Sequence, residues 1–232
     1  MQTLNADSKM MQKNYFYLSL FILLVCDMSF ASKVKFNPNQ LQNADLIFHT
    51  SKSNQSYAIM WASQSVLSHV GLIERTKQDE FYVVEAISKV SRTPLAKWIN
   101  RGRLDRYEVY RYKGLTIQQR KQIIENAIKY IGRPYDIAFN SQNEEIYCSE
   151  LVAYAFNDSQ IKIGHYQKVA SLKTDNPVVK GLVKKRWKKH PVCKNKKLSF
   201  DQCWQAVLND ELITPVSLTQ DPQVEKIYSN YN

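Results

Sequence analysis

In Phe81-Tyr82-Val83-Val84-Glu85-Ala86-Ile87 one carboxylate interrupts an otherwise apolar strand. A charge at an inward strand position is costly unless the fold supplies a partner. The upstream stretch Val66 to Ile73 is also strand-like, and Glu74 to Glu80 is a charged break between the two. The pair reads as a hairpin with a long loop. Pairing Val70–Ile73 with Phe81–Val84 about a loop centred near Lys77 sets His69 opposite Glu85 on one sheet face. A one-residue slip would separate them.

A cysteine joins this pair. Cys148, in Tyr147-Cys148-Ser149-Glu150-Leu151-Val152, begins an apolar helix running to about Phe156. A helix N-terminus favours thiolate. An imidazole can take the thiol proton, and a carboxylate can hold the imidazole tautomer. The Ser149 hydroxyl and the first free backbone N–H groups are candidates for stabilising an oxyanion. Each residue alone has an ordinary reading, an inert buried thiol or a structural histidine. His49, His165 and His190 have no comparable context.

The remaining elements read as follows. Asp45 to Phe48 is a short buried strand, and Ser53 caps a helix through Tyr57 and Trp61. Thr93-Pro94 starts a helix that Gly102 ends. Tyr107 to Tyr112 is another strand. Ile117 to Ile131 is a helix with a Thr116–Gln119 capping box, closed by Gly132. Pro215 and Ser217 mark a segment returning to the domain body. The pattern predicts an α+β class, an antiparallel sheet or small barrel with helices segregated against it.

Residues 1–31 read as a cleavable secretory signal. Lys9 and Lys13 precede the apolar run Tyr15 to Val25, and Ser29-Phe30-Ala31 supplies the small residues for cleavage. Leu23-Leu24-Val25-Cys26 resembles a lipoprotein site only weakly, because Val25 fits poorly before the cysteine, so a cleaved signal is preferred to a lipid anchor at Cys26. Residues 32–232 are then one domain, periplasmic or secreted. Export leaves Cys148, Cys193 and Cys203. Cys193 and Cys203 flank a short polar loop and form a natural disulfide pair, with Cys148 free. A zinc site at His190, Cys193 and Cys203 matches no familiar spacing and lacks a fourth ligand. The formal net charge is +11, and the basic run from Lys184 to Lys189, continuing through Lys194, Lys196 and Lys197, reads first as a solvated face. In an exported chain that run suits anionic headgroups or an acidic wall polymer rather than nucleic acid.

The motifs from Ala44-Asp45-Leu46-Ile47-Phe48 through Ser68-His69-Val70-Gly71, Val84-Glu85-Ala86, Thr93-Pro94-Leu95 and Gly132-Arg133-Pro134-Tyr135-Asp136 to Tyr147-Cys148-Ser149-Glu150-Leu151-Val152 resemble the YiiX/YebB-like members of the NlpC-type cysteine hydrolases, the permuted papain-like amidases. The order histidine, acid, cysteine is the circularly permuted one. Ala44 stands where a glycine is often seen. The resemblance implies a permuted papain-like fold, a compact antiparallel barrel with the nucleophile helix packed on it. It implies Cys148 as nucleophile, His69 as general base and Glu85 as orienter. It makes Tyr135 a candidate for lining the pocket or donating to the oxyanion, beside the reading of a packed turn tyrosine. The expected activity is cleavage of an amide or ester through an acyl-thioester, without metal or organic cofactor. The substrate is expected to be a cell-wall peptide, a small amide or a lipid acyl group. The alternatives are a lipid acyltransferase and a non-catalytic binder of lipid or wall fragments.

Overall fold

The computed structural model describes residues 37–140 and 143–231. The signal reading of residues 1–31 and Cys26 lies outside the described residues. Eight strands and eight helices follow one another: β1 Leu46–His49, α1 Ser56–Ser63, β2 His69–Arg75, β3 Phe81–Ala86, β4 Val90–Pro94, α2 Leu95–Arg101, β5 Glu108–Tyr112, α3 Ile117–Lys129, α4 Cys148–Asn157, β6 Gln167–Lys168, α5 Pro177–Arg186, α6 Pro191–Asn195, α7 Phe200–Leu208, β7 Glu211–Leu212, α8 Pro215–Thr219 and β8 Val224–Ser229. Six strands form one antiparallel sheet in the order β4-β3-β2-β1-β5-β8, and β6 pairs with β7 separately. The sheet is open, with β4 and β8 at its edges, so of the two forms expected, sheet or small barrel, the sheet is the one found.

Both faces of the central strands are covered, which explains their unbroken apolar runs. Leu46, Phe48, Val70, Leu72 and Val84 pack with Ile123 and Ala127 of α3 and Leu151, Val152 and Phe156 of α4. Ile47, Ile73, Val83 and Val109 pack with Trp98 of α2 on the other face. The capping box of α3 forms as expected, Gln119 N–H donating to Thr116 Oγ1 at 3.2 Å and Thr116 N–H donating to Gln119 Oε1 at 2.9 Å. Thr93-Pro94 differs from its reading. These residues end β4, and Pro94 precedes α2 as its cap. Ser53 likewise does not cap α1, whose N-terminus carries Gln55 without a side-chain cap.

The hairpin register is displaced by two positions from the expected one. Leu72 faces Val84 and Ile73 faces Val83, so the pairing centres on Gln78. A shift of two preserves the face, because strand side chains alternate with period 2. Glu85 then faces Gly71 rather than His69, and reaches His69 diagonally across the space the glycine leaves. A Cβ on Gly71 would meet Val83 Cγ1 at 2.3 Å, the Val84 carbonyl at 3.0 Å and Glu85 Cβ at 3.3 Å. Ala44 adopts φ 63°, a left-handed backbone that suits the glycine expected there.

The tail folds as a helical unit against the sheet domain. Cys193 of α6 is disulfide-bonded to Cys203 of α7, with Cα atoms 5.2 Å apart, as the spacing suggested. The two cysteines centre a small apolar cluster with Val169 and Val207, too few residues to hold a unit of this size by burial alone. The segment marked by Pro215 and Ser217 forms α8, whose Ser217 and Leu218 are fully buried. The chain then returns as β8 along β5.

Gly71→Ala is expected to destabilise the protein by about 1–3 kcal/mol, the usual cost of overpacking a filled site. Thermal unfolding measures it. The same variant is expected to lose activity beyond its loss of folded protein, because the new methyl group pushes Glu85 off its path to His69.

Candidate active site

His69 is the first residue of β2, at the end of the sheet, and Cys148 is the first residue of α4. Strand end and helix start therefore meet, although α4 covers one sheet face and the His69 side chain lies on the other. His69 Nε2 is 2.7 Å from Glu85 Oε2. The Cys148 thiol lies beside the ring, and each favours the other's charged form. The sulfur also accepts from the backbone N–H groups of Val70 and Ser149. Cys148 is buried and is the free cysteine among the described residues. The three side chains singled out in the sequence thus converge.

Glu85 is fully buried and fully engaged. Thr93 Oγ1 donates to its Oε1 at 2.6 Å, and Arg101 Nη2 donates to Oε1 at 2.6 Å and also contacts Oε2. Burial opposes the charge, but the bonds from His69 and Arg101 outweigh it and hold Glu85 down to about 2. Burial likewise opposes protonation of His69. Its bonds to Cys148 and Glu85 prevail and push it up to about 9. Burial would raise the Cys148 thiol. The His69 partner and the two backbone donors reverse that and hold it below its ordinary value. Both shifts favour the charged forms, a thiolate on Cys148 and an imidazolium on His69.

Sequence reasoning missed the supporting groups. His49, paired with His69 across β1 and β2, stacks on Trp98 with ring centroids 3.9 Å apart and lies 5.2 Å from the His69 ring. Burial first, then the neighbouring His69 cation, lower it to about 2, so it is a neutral wall. Arg101 closes α2 and looks in sequence like any basic helix end. Only the register of β3 against β4 and the path of α2 bring it over Glu85.

Tyr135 is buried, and its hydroxyl accepts from Gln55 Nε2 at 2.8 Å. Gln55 Oε1 accepts from Arg186 Nη1 at 2.9 Å. Arginine only donates, so it fixes which way the Gln55 amide faces, and that amide must then donate to Tyr135. Burial, then the nearby Cys148 sulfur, keep the Tyr135 phenol protonated far above neutrality. Ser149 differs from its reading. Its hydroxyl donates to the Ile213 carbonyl at 2.8 Å, and so ties α4 to the tail instead of serving an oxyanion. Its backbone N–H remains on the sulfur. Beside Cys148 and Ser149 opens a cavity of about 110 Å³, lined almost entirely by apolar side chains.

The profile of the family described as "Permuted papain-like amidase enzyme, YaeF/YiiX, C92 family" matches residues 40–228. The chain belongs to this family. It is 36% identical over 154 residues to the uncharacterized protein YiiX of Escherichia coli strain K12, covering 65% of this chain and 75% of that one. It is also similar to the crystal structure of metalloprotein yiiX from Escherichia coli O157:H7, with a TM-score of 0.73 at 30% identity, covering 83% of this chain and 99% of that one.

The paired charges set the pH dependence. Alkylation of Cys148 by iodoacetamide is expected to stay level through neutrality and past about 9, because the sulfur is already ionised. It falls at acid pH as the thiolate takes a proton. Turnover that needs the imidazolium as acid is expected to fall as pH rises through about 9, where His69 loses its proton. His69→Ala should slow neutral alkylation by at least about 100-fold. Stopped-flow alkylation and a pH–rate profile check both.

Proposed function

From membership of the permuted papain-like amidase family, we propose that the chain is a cysteine hydrolase in which Cys148, His69 and Glu85 form the catalytic triad. The observation that carries the reading is the convergence of the Cys148 thiol, the His69 ring and Glu85, whose Oε2 lies 2.7 Å from His69 Nε2. The thiolate attacks an amide or ester carbonyl, and the His69 imidazolium gives its proton to the leaving group. Water, deprotonated by the neutral imidazole, then attacks the thioester and releases the acid. Glu85 stays ionised throughout, held by Arg101 and Thr93, and stabilises each imidazolium that forms.

The tetrahedral intermediate needs donors. The Tyr135 hydroxyl accepts from Gln55 and keeps its own proton free to give. That proton is the donor proposed for the oxyanion. Arg186 and Gln55 act as positioning residues for that proton.

The O157:H7 relative is titled a metalloprotein. Among the described residues here, no three His, Cys, Asp or Glu side chains converge as a metal set. Both Glu85 oxygens already serve Thr93 and Arg101. The residues do not fit a metal, and the reaction is derived without one. Export remains part of the proposal, supported by the signal-like residues 1–31 and by the Cys193–Cys203 disulfide, which belongs to an oxidising compartment. The basic run from Lys184 to Lys189 is proposed to meet an anionic envelope surface.

A second reading, acyl transfer to an amine or alcohol, is favoured by the apolar cavity at the nucleophile, which would shield a thioester from water. Partition of the thioester between water and added amine separates the two readings.

Intact-protein mass spectrometry after mixing with an activated ester is expected to show one acyl group on Cys148 and none on Cys148→Ala. Absence of the adduct on a folded, alkylatable protein would remove the hydrolase reading. Tyr135→Phe is expected to lower kcat about 10²–10³-fold with little change in KM, as for loss of one oxyanion donor. Arg186→Gln should give a smaller loss in the same parameter.

A further inference from the structure

The cavity beside Cys148 is walled by two parts of the chain that are far apart in sequence. Ala58 and Ala62 of α1 form one side. Val179 and Leu182 of α5, with Leu172 and Val207, form the other. The floor is the start of α4 itself, at Tyr147, Cys148 and Ser149. The disulfide-joined tail is therefore what turns an open helix terminus into a half-enclosed apolar chamber.

Few polar groups reach the wall, and several of them are engaged. Asp210, the sole charged side chain there, has Oδ2 2.8 Å from His190 Nε2 and accepts from Asn140 Nδ2 at 3.4 Å. The Ser149 hydroxyl is spent on the Ile213 carbonyl, and Ser63 Oγ donates to the Ile59 carbonyl at 2.7 Å. Thr214 Oγ1 accepts from the Ser217 backbone N–H at 3.1 Å. A wall this apolar offers little to grip a charged or amide-rich peptide. Seating one there would strand its polar groups without partners.

His69 does not line the chamber. The leaving group must touch His69 to receive its proton, so it departs outside the chamber. What stays inside is the half of the substrate that remains on sulfur. We propose that the chamber is the acyl site, and that the substrates are amides or esters of short aliphatic acids rather than wall peptides. An apolar cavity of about 150 Å³ accepts a benzene ring. One of about 110 Å³ therefore takes a chain of about four carbons.

The inference rests on the cysteine-hydrolase reading. Its chemistry balances without another reactant: the C–S bond forms as the C–N or C–O bond breaks, the His69 proton leaves on the amine or alcohol, and water later replaces sulfur on the acyl carbon.

The test uses the full chain with 4-nitrophenyl esters of straight-chain acids, from acetate to decanoate, under a constant leaving group. The acylation rate constant is expected to rise about fourfold per added methylene until about four carbons are buried, then to level or fall. Ala58→Leu and Val179→Phe, on separate walls, are each expected to move that optimum to a shorter acid. Iodoacetamide alkylation of Cys148 should stay unchanged in both, which also reports that the site is folded. A flat chain-length profile in the unaltered protein, with Cys148 acylated, overturns the acyl-site assignment and leaves the hydrolase reading standing. An optimum that both variants leave in place overturns it too. No acylation by any ester, with normal alkylation, overturns both.

Discussion

A carboxylate buried in the middle of a sheet cannot exist uncompensated, and most of this site follows from that requirement. Glu85 is neutralised by Arg101 on one side and by the His69 imidazolium on the other. Two cations facing one anion leave a surplus positive charge at the ring. The Cys148 sulfur, at the positive end of α4 and under two backbone N–H groups, supplies the balancing negative charge. The four groups are thus interlocked: Arg101 and His69 favour the charged Glu85, and His69 and Cys148 favour each other's charged form. His49 and Trp98 stack beside the ring, exclude water from it and add no charge of their own. Low dielectric around these groups strengthens each attraction.

The sheet serves this arrangement through two local features. The first is the absence of a side chain at Gly71, through which Glu85 reaches diagonally to His69. The second is the position of His69 at the strand end, where its ring can meet a helix packed on the opposite face. The tail contributes at a distance. Arg186 of α5 sets the Gln55 amide and so the Tyr135 proton, while neighbouring α5 side chains wall the cavity. One helix therefore reaches both the Tyr135 hydroxyl, through Gln55, and the cavity wall beside Cys148.

Much of this was legible in the chain. Alternation and apolar runs located four of the strands, the α3 cap and the cysteine helix, because those signals are local. The meeting of Cys148, His69 and Glu85 was also legible, since period-2 alternation survives a two-residue error in register. The two edge strands were not. Strands β4 and β8 are short or partly exposed, with little apolar pattern, and β8 finds β5 only through a tertiary return. Arg101, Thr93 and His49 were illegible for the same reason: each acts through a neighbour on another element, and neither spacing nor composition marks it. Ser149 shows the converse. Its place beside the nucleophile invited a chemical role, yet the nearby Ile213 carbonyl claims its proton.

The central claim is that His69 carries its positive charge because Cys148 carries a negative one. A ¹⁵N NMR titration of the His69 ring, in the unaltered protein and in Cys148→Ala, reads this directly. The expected result is a midpoint near 9 that drops clearly when the sulfur is removed. A ring already neutral at pH 7 with Cys148 present, or a midpoint unmoved by its removal, would contradict the ion pair and the mechanism built on it.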